Sequence, residues 1–289
     1  MPEMLFASKY GFCSGVARAI RVLEDALEKY GPPVYAYHKI VHNGRVIAGM
    51  EKRGVVFIDG LDDMADLSRP LVLSAHGSSS SLLAELGKKG INYIDAVCPF
   101  VDRIHGYARG KAALGYAVIV IGSDRAHDEI VGTMGQAEGS MFFVKSAADV
   151  GALPLGGGSK ICYVSQTTLA LGETGGIIRA IKTRFPGAEG PGLGNICMAT
   201  SERQAAAREL VRKRGLDCFV VIGSPASSNT KSLAAVIRDA GCENVFLIDS
   251  AADIRPGMFA KTDRLGITAG ASTPQELIDE VVAKISSLD

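Results

Sequence analysis

The sequence predicts an α/β protein made of mainly parallel sheets covered by helices. Short apolar runs alternate along the whole chain with segments whose apolar residues recur at the helical period. Strict alternation of strand and helix is typical of βαβ units, in which the strands run parallel. A cysteine also recurs at positions 13, 98 and 197, each time between an apolar run and a helical segment. This recurrence indicates three pseudo-repeated small α/β lobes.

The elements follow one another in a regular order. Strands are predicted at residues 5–8, 34–37, 55–58, 71–74, 92–95, 117–121, 141–144, 161–165, 218–222, 244–248 and 266–268, and a short run at 195–196 leads into Cys197. The first helical segment follows Cys13 and has an apolar face made of Val16, Ala19, Ile20, Leu23, Ala26 and Leu27. Further helices are predicted at 80–89, 101–114, 172–185, 200–210 and 273–288. Right-handed crossovers would place the C-terminal ends of all strands on one edge of each sheet.

Boundaries between the lobes are predicted near residue 97 and in the Gly/Pro-rich segment 186–194. The lobes then span residues 1–96, 97–193 and 194–289. The N-terminal strand is also a candidate to pack with the third lobe. Because units of this size bury little surface alone, we expect them to pack against one another.

Composition excludes several classes of function. The chain has 289 residues, with 31 Lys and Arg against 31 Asp and Glu, which gives no electrostatic reason to expect nucleic acid or a membrane surface as a partner. No apolar run approaches the ~18–20 residues that span a bilayer. The first strand begins too early to leave room for a signal peptide, so we expect a cytoplasmic protein. In a reducing compartment, its six cysteines indicate metal binding, catalysis or burial rather than disulfides.

The three turn cysteines, Cys13, Cys98 and Cys197, are candidates for one shared centre. A helix N-terminus lowers the pKa of a thiol and favours the thiolate. Taken singly, each is equally well a small apolar residue in a tight turn. An arginine follows each of them within six residues, at Arg18, Arg103 and Arg203.

Zinc and an iron–sulfur cluster both remain open for such a centre. A structural zinc takes four ligands, commonly in local pairs such as CxxC, and the sequence has no CxxC. Three thiolates suit an iron–sulfur cubane with one iron left open. The other cysteines, Cys162, Cys218 and Cys242, lie in or near apolar strands and are predicted to be core residues.

Polar residues gather after the predicted strands, where open α/β sheets bind ligands. Neutral His, Ser and Asn donors beside helix N-termini suit a phosphate-like anion, although the serines are also typical helix caps. These candidates are His42, His76, His127, Ser227, Ser228, Asn229 and Ser272. Glu129 follows His127 by two residues and is either a solvated carboxylate or, in a dry cleft, a proton donor.

Eight motifs identify a resemblance. In order they are Gly-Phe-Cys-Ser-Gly-Val at 11–16, Val-His-Asn at 41–43, Ser-Ala-His-Gly at 74–77, Cys-Pro-Phe-Val at 98–101, Gly-Thr-Met-Gly-Gln at 132–136, Gln-Thr-Thr-Leu at 166–169, Ser-Ser-Asn at 227–229 and Thr-Ala-Gly-Ala-Ser at 268–272. With these motifs the chain strongly resembles the 4-hydroxy-3-methylbut-2-enyl diphosphate reductases, the IspH/LytB family, over essentially its whole length.

The resemblance implies three lobes around a central cavity and a [4Fe-4S] cluster on Cys13, Cys98 and Cys197. It implies the last step of the non-mevalonate (MEP) isoprenoid pathway, in which two electrons and two protons remove the allylic hydroxyl of the substrate as water. The products are isopentenyl and dimethylallyl diphosphate, and a ferredoxin or flavodoxin supplies the electrons. A built-in nicotinamide site is not expected, because no Gly-x-Gly-x-x-Gly follows a strand.

The resemblance also implies residue roles. Glu129 matches the proton donor, Thr167 positions it or the substrate hydroxyl, and His127 serves the proton and hydrogen-bond network around the substrate. The residues that match the diphosphate site, with Ser228 beside them, are His42, His76, Ser227, Asn229 and Ser272.

The chain departs from the family pattern at His127-Asp128-Glu129, where His-Pro-Glu is common, and the loop at 122–126 is one residue longer. We expect the like charge of Asp128 to change the pKa of its neighbours. Alternatives are a divergent paralogue acting on another allylic diphosphate, and a non-catalytic metal or redox-sensing module using the same cysteines. A third is a phosphosugar- or nucleotide-binding protein with structural cysteines.

Overall fold

The computed structural model describes residues 2–169, 171–191 and 197–288. Within them the strands are β1 Glu3–Phe6, β2 Val34–Tyr37, β3 Val55–Ile58, β4 Leu71–Leu73, β5 Tyr93–Asp95, β6 Ala117–Ile121, β7 Met141–Val144, β8 Ile161–Ser165, β9 Cys218–Ile222, β10 Val245–Ile248 and β11 Arg264–Ala269. The α-helices are α1 Ser14–Tyr30, α2 Gly44–Lys52, α3 Ser80–Lys89, α4 Pro99–Ala113, α5 Asp128–Met134, α6 Ala147–Ala152, α7 Leu171–Arg184, α8 Met198–Arg214, α9 Ser228–Asp239 and α10 Gln275–Ser286.

The strands form three sheets, and the pairings between these named strands are all parallel. The strand orders are β1-β11-β9-β10, β3-β2-β4-β5 and β7-β6-β8. The predicted fold class, α/β with three small parallel-sheet lobes, is therefore confirmed. The predicted run at 195–196 lies outside the described residues, as does part of the predicted boundary segment at 186–194.

Two strands that are buried along their whole length have their predicted bounds, because a strand buried on both faces is a continuous apolar run. All five residues of β8 and all five of β9 are buried, and both strands have the predicted bounds. Burial of each large side chain in such a strand contributes about 1.5–3 kcal/mol.

Two strands, β1 and β11, differ from their predictions by two residues at one end or more, whereas β4, β5 and β10 are each one residue shorter than predicted. β1 lies two residues earlier than predicted, since Glu3 pairs with Arg264 and Phe6 with Ile267. Its register is set by its long-range partner β11, which the apolar pattern of residues 5–8 does not report. β11 itself extends beyond the predicted 266–268 at both ends.

The chain divides into two compact units. The first unit comprises Met1–Val16, His42–Val46 and Met198–Asp289, and contains the sheet in which β1 pairs with β11. The second unit comprises Ala17–Val41 and Ile47–Cys197, and contains the other two sheets. The lobe boundaries predicted from the sequence stay predictions.

Each unit has its own hydrophobic core. In the first unit, α10 packs Leu277 and Val281 against buried Ile267 of β11. In the second unit, Ile121 of β6 and Ile161 of β8 belong to one cluster, and Leu71 and Leu73 of β4 to another. Among the helices of the described residues, none combines the length and the hydropathy needed to cross a bilayer.

Candidate active site

Glu129 is a buried carboxyl group in the first turn of α5, in the second unit. Its side chain is held by Thr167, whose backbone N–H donates to Oε1 at 2.6 Å and whose Oγ1 donates to Oε2 at 3.0 Å. The residue is only 4% exposed, and burial raises the pKa of the Glu129 carboxyl to about 7, against the opposing effect of the two hydrogen bonds from Thr167. Glu129 therefore has the dry environment of a proton donor rather than that of a solvated carboxylate.

Two neighbouring strands place Glu129 and Thr167 at the same edge of one sheet. β6 leads into the loop before α5, and β8 leads directly to Thr167. His127 caps α5, because its Nδ1 accepts the backbone N–H of Glu129 at 3.2 Å. The Thr133 Oγ1 donates to the backbone carbonyl of Glu129 at 2.8 Å one turn later. The acid is thus fixed through both its side chain and its backbone.

The loop at 122–126, for which the resemblance implies one extra residue, is tied to the Thr167 segment by Gln166. The amide oxygen of Gln166 accepts both the N–H and the Oγ of Ser123, each at 3.0 Å. Its Nε2 donates to Thr168 Oγ1 at 3.1 Å. The loop beside Glu129 is therefore held in place by hydrogen bonds to Gln166.

His76 follows β4 and lies next to α5. Its Nδ1 is 3.8 Å from Asp128 Oδ2, and its ring meets the ring of His127 edge-on, with centroids 5.9 Å apart. We expected Asp128 to shift the pKa of its neighbours by like charge, but burial is the leading cause of the raised pKa of Glu129. Asp128 instead faces a histidine, for which it is an opposite-charge partner when the ring is protonated.

Glycines explain how closely α5 approaches the loop after β4. Gly77 has φ +80°, and a Cβ there would lie 2.4 Å from Cε1 of His105 on α4. A Cβ on Gly132 of α5 would lie 2.8 Å from the Gly77 carbonyl oxygen. Gln136 then donates from Nε2 to the Ser78 carbonyl at 2.8 Å. The motif at 132–136 therefore positions α5, a role that the sequence did not indicate.

Cys98 and Cys197 are also in the second unit, and both thiols are half-buried and free of disulfides. Cys98 is the N-cap residue of α4, and its N–H donates to Ala75 O at 3.0 Å. The N–H of Cys197 donates to Thr167 O at 3.3 Å. The backbone of Cys98 is therefore bound to Ala75, the residue before His76. The backbone of Cys197 is bound to Thr167, which holds Glu129.

Cys13 lies in the first unit, in the turn between β1 and α1. Its Sγ accepts the backbone N–H of Val16 at 3.4 Å, so the thiol caps the helix N-terminus as predicted. The N–H groups of Gly11 and Cys13 donate to Ala269 O at 3.2 Å and Ala271 O at 3.0 Å. The turn is thus fastened to the segment that follows β11, and Gly11 makes the required bend with φ +71°.

The first unit also contains a set of neutral donors at the N-terminus of α9 and in the loop after β11. Ser227 caps α9 by accepting the N–H of Thr230 at 3.4 Å, and Ser272 Oγ donates to His42 O at 3.3 Å. Ser228 is the half-buried first residue of α9. Asn229 is 3% exposed, and within the described part of the chain neither its Oδ1 nor its Nδ2 has a hydrogen-bond partner.

The predicted site residues therefore divide between the units. The first unit contains Cys13, His42, Ser227, Ser228, Asn229 and Ser272, and the second contains His76, Cys98, His127, Glu129, Thr167 and Cys197. The remaining cysteines are buried, as predicted, and burial raises the thiol pKa of Cys162 (to about 12), Cys218 and Cys242.

Comparison with known proteins assigns the family. Residues 4–286 match the family described as "LytB protein". The chain belongs to the LytB protein family. A relative from Stenotrophomonas maltophilia (strain K279a), named 4-hydroxy-3-methylbut-2-enyl diphosphate reductase, is 38% identical over 99% of this chain and 90% of its own length. One from Chelativorans sp. (strain BNC1), of the same name, is 41% identical over 94% of this chain and 82% of its own.

Two solved structures show the LytB fold in this chain. The E-1-hydroxy-2-methyl-but-2-enyl-4-diphosphate reductase from Plasmodium falciparum superposes with a TM-score of 0.94 at 34% identity, covering 99% of this chain and 88% of that one. A structure titled (E)-4-hydroxy-3-methyl-but-2-enyl diphosphate reductase, the terminal enzyme of the non-mevalonate pathway, gives 0.69 at 28% identity with full coverage of both chains. The resemblance to this family is thereby confirmed.

Proposed function

We propose that this chain reduces 4-hydroxy-3-methylbut-2-enyl diphosphate to isopentenyl and dimethylallyl diphosphate. The names of its LytB relatives support the reaction. The observation that carries the chemistry is the buried Glu129, whose carboxyl has a pKa of about 7 and is held by Thr167 through both oxygens. Such a buried group is protonated in about half of the molecules at pH 7, so it can give a proton near neutral pH.

We propose further that Cys13, Cys98 and Cys197 hold a [4Fe-4S] cluster. The donor set fits, since these thiols are half-buried, Cys13 accepts a helix N-terminal N–H and Cys98 is the N-cap residue of a helix. Cysteine thiolates are the ligands that hold such a cluster. When bound, the cluster supplies electrons and a Lewis-acidic iron.

The reaction balances with two electrons and two protons. The allylic C–O bond breaks, a C–H bond forms, and the hydroxyl leaves as water. Glu129 gives one of these protons from its carboxyl, which Thr167 keeps oriented. His127, which caps the same helix turn, takes part in the hydrogen bonds around the substrate. Release of a proton from Glu129 is favourable near neutral pH because its pKa is about 7.

The diphosphate is assigned to the donors outside the acid site. Asn229, Ser227 and Ser272 offer uncharged hydrogen bonds, the N-terminus of α9 adds its backbone dipole, and Ser228 lies beside them. His42 and His76 add imidazole donors. The buried Asn229 amide supports this assignment most directly, because among the described residues it has no partner within the protein.

The proposal includes a small redox protein, a ferredoxin or a flavodoxin, as the electron donor, since the sequence contains no nicotinamide motif. No nucleic acid is expected to bind, because the net charge is zero. The cytoplasmic location expected from the sequence stays a prediction.

The test is turnover by protein reconstituted anaerobically with iron and sulfide, with reduced ferredoxin or flavodoxin as donor. Wild type should bind about four irons per chain and form both products. Cys98→Ser should lose cluster and turnover, whereas Cys242→Ser, which changes a buried thiol hydrogen-bonded to Asn244 O, should keep both. Stoichiometric zinc without turnover would overturn the proposal in favour of a metal module, and turnover only of another allylic diphosphate would identify a divergent paralogue.

A further inference from the structure

Arg203 on α8 is a buried cation. Its side chain belongs to the first unit and is 6% exposed. Within the described part of the chain, no Asp or Glu lies at ion-pair distance from its guanidinium. A buried charge is normally paired, because removing it from water is unfavourable. The guanidinium of Arg203 is instead bound by backbone carbonyl groups.

The hydrogen bonds of Arg203 converge on the turn that carries Cys13. Its Nε and Nη2 donate to Gly11 O at 3.0 and 2.8 Å, and Nη2 also donates to Phe12 O at 2.8 Å. Its Nη1 donates to Ala199 O at 2.8 Å on its own helix. Gly11 and Phe12 immediately precede Cys13, so the guanidinium fixes the backbone from which the thiol projects.

The same turn is held on its other side by the segment after β11. The N–H of Gly11 and the N–H of Cys13 both donate to that segment. The carbonyl groups of the turn are bound by Arg203 and its N–H groups by the sheet edge. Cys13 therefore projects from a backbone that is hydrogen-bonded on both sides, and the Arg203 charge is bound to the carbonyl of the preceding residue, Phe12.

We propose that Arg203 is a positioning residue for the cluster: it holds the Cys13 turn and its charge stabilises the reduced, more negative form of the iron–sulfur group. This inference rests on the proposed function, which supplies the anionic cluster. The reduction potential of an iron–sulfur cluster depends on the net charge and the hydrogen bonds around its sulfurs. A buried cation beside one ligand raises that potential, and removal of the cation lowers it.

Two substitutions separate charge from shape. Arg203→Gln removes the charge and keeps part of the hydrogen bonding, and Arg203→Lys keeps the charge but loses the planar fork. Arg212→Gln is the matched control, because Arg212 lies on the same helix and is exposed. All variants are reconstituted anaerobically as full chains, and their iron content, circular dichroism and cluster midpoint potential are measured without substrate.

Arg203→Gln should make reduction of the cluster at least tenfold less favourable, a fall of about 59 mV for a one-electron couple. Arg203→Lys should stay within that interval of wild type, and Arg212→Gln should match wild type. A Gln variant that keeps its fold but loses iron, where the Lys variant retains it, also supports the proposal. If Arg203 only held the backbone of the Cys13 turn, the midpoint potential of the cluster would not depend on the charge of residue 203.

Equal potentials and iron contents in wild type and Arg203→Gln would overturn the inference, as would a Lys variant as low as the Gln variant. If Arg203→Gln does not fold, Arg203→Lys decides: a potential within 59 mV of wild type supports the inference and a larger fall contradicts it. Wild type that binds no iron–sulfur cluster would overturn the proposed function itself, and the inference with it.

Discussion

The acid region around Glu129 in the second unit and the proposed anion region around Asn229 in the first unit differ in where their polar groups find hydrogen-bond partners. In the acid region, both oxygens of Glu129 accept hydrogen bonds from Thr167, and its backbone N–H is bound by His127. In the anion region, the buried amide of Asn229 has no partner among the described residues. The protein completes the first region, and we propose that a ligand completes the second.

The difference shows how the two parts of a reaction impose different requirements. A proton donor must hold its pKa and orientation before the substrate arrives, so its contacts are internal. A diphosphate site must offer donors that become satisfied on binding. A buried amide without a partner costs about 1–3 kcal/mol, a penalty that ligand binding would remove.

Glu129→Gln should give the largest effect on the acid region. The amide is nearly isosteric but has no proton to give, so turnover should fall by about 10²–10⁴-fold. Iron content should stay at the wild-type level, because Glu129 is not proposed as a ligand. Glu138→Gln, at an exposed position beyond α5, is the control and should keep full turnover. Normal turnover in Glu129→Gln would remove Glu129 from its role.

The same residue should make stability depend on pH. Its pKa is raised from 4.5 to about 7 in the folded protein, so the folded state binds more protons between these values. The resulting stabilisation is fully present below pH 4.5 and is lost as the pH rises through about 7, by up to roughly 3 kcal/mol. In denaturant titrations of the reconstituted proteins, Glu129→Gln should lack this contribution. If the free energy of unfolding depended on pH in the same way in both proteins, the pKa of Glu129 would not be raised by folding.

Asn229→Ala should raise KM and leave the stability of the ligand-free protein unchanged. Loss of a hydrogen bond to a charged diphosphate, worth about 1.5–3 kcal/mol, should raise KM by roughly 10–100-fold. The ligand-free protein should keep its thermal stability, since the Asn229 amide has no hydrogen bond to lose within the described part of the chain. Ser286→Ala, which removes a hydroxyl bonded within α10, serves as a control for KM. A variant that is destabilised while its KM is unchanged would assign Asn229 to structure.

Thr167→Val should give the smallest effect. Its Oγ1 donates to Glu129, and this hydrogen bond opposes the rise in pKa that burial causes. Its removal should move the pKa of Glu129 further upward, and the alkaline limb of the pH profile of kcat should shift in the same direction. The backbone N–H of residue 167 still holds the carboxyl, so kcat at low pH should change only a few-fold. A downward shift of the limb would contradict the arrangement.

The parts of the fold that sequence predicts are those in which local pattern and tertiary environment agree. β6 and β9 are buried on both faces, so their apolar runs show their full length. β1 is an edge strand whose register depends on β11 at the other end of the chain, and its predicted position was two residues late.

The site shows the same division. The turn cysteines could be found because a thiol between a strand and a helix leaves a local pattern. Arg203 was noted only for its distance from Cys197, because its acceptors are backbone carbonyls 191 and 192 residues away. The burial that sets the pKa of Glu129 likewise comes from packing of α5 against distant segments, which no local motif records.

The protonation state of Glu129 before substrate binds tests the account most directly. Infrared difference spectra between wild type and Glu129→Gln, recorded without substrate across the pH range, report the carboxylic acid C=O band of this one residue. We expect a protonated carboxyl at pH 5 that is lost on raising the pH through about 7. A Glu129 that is already ionised at pH 5, and becomes protonated only when the diphosphate is added, would contradict the claim that the protein sets the acid in advance.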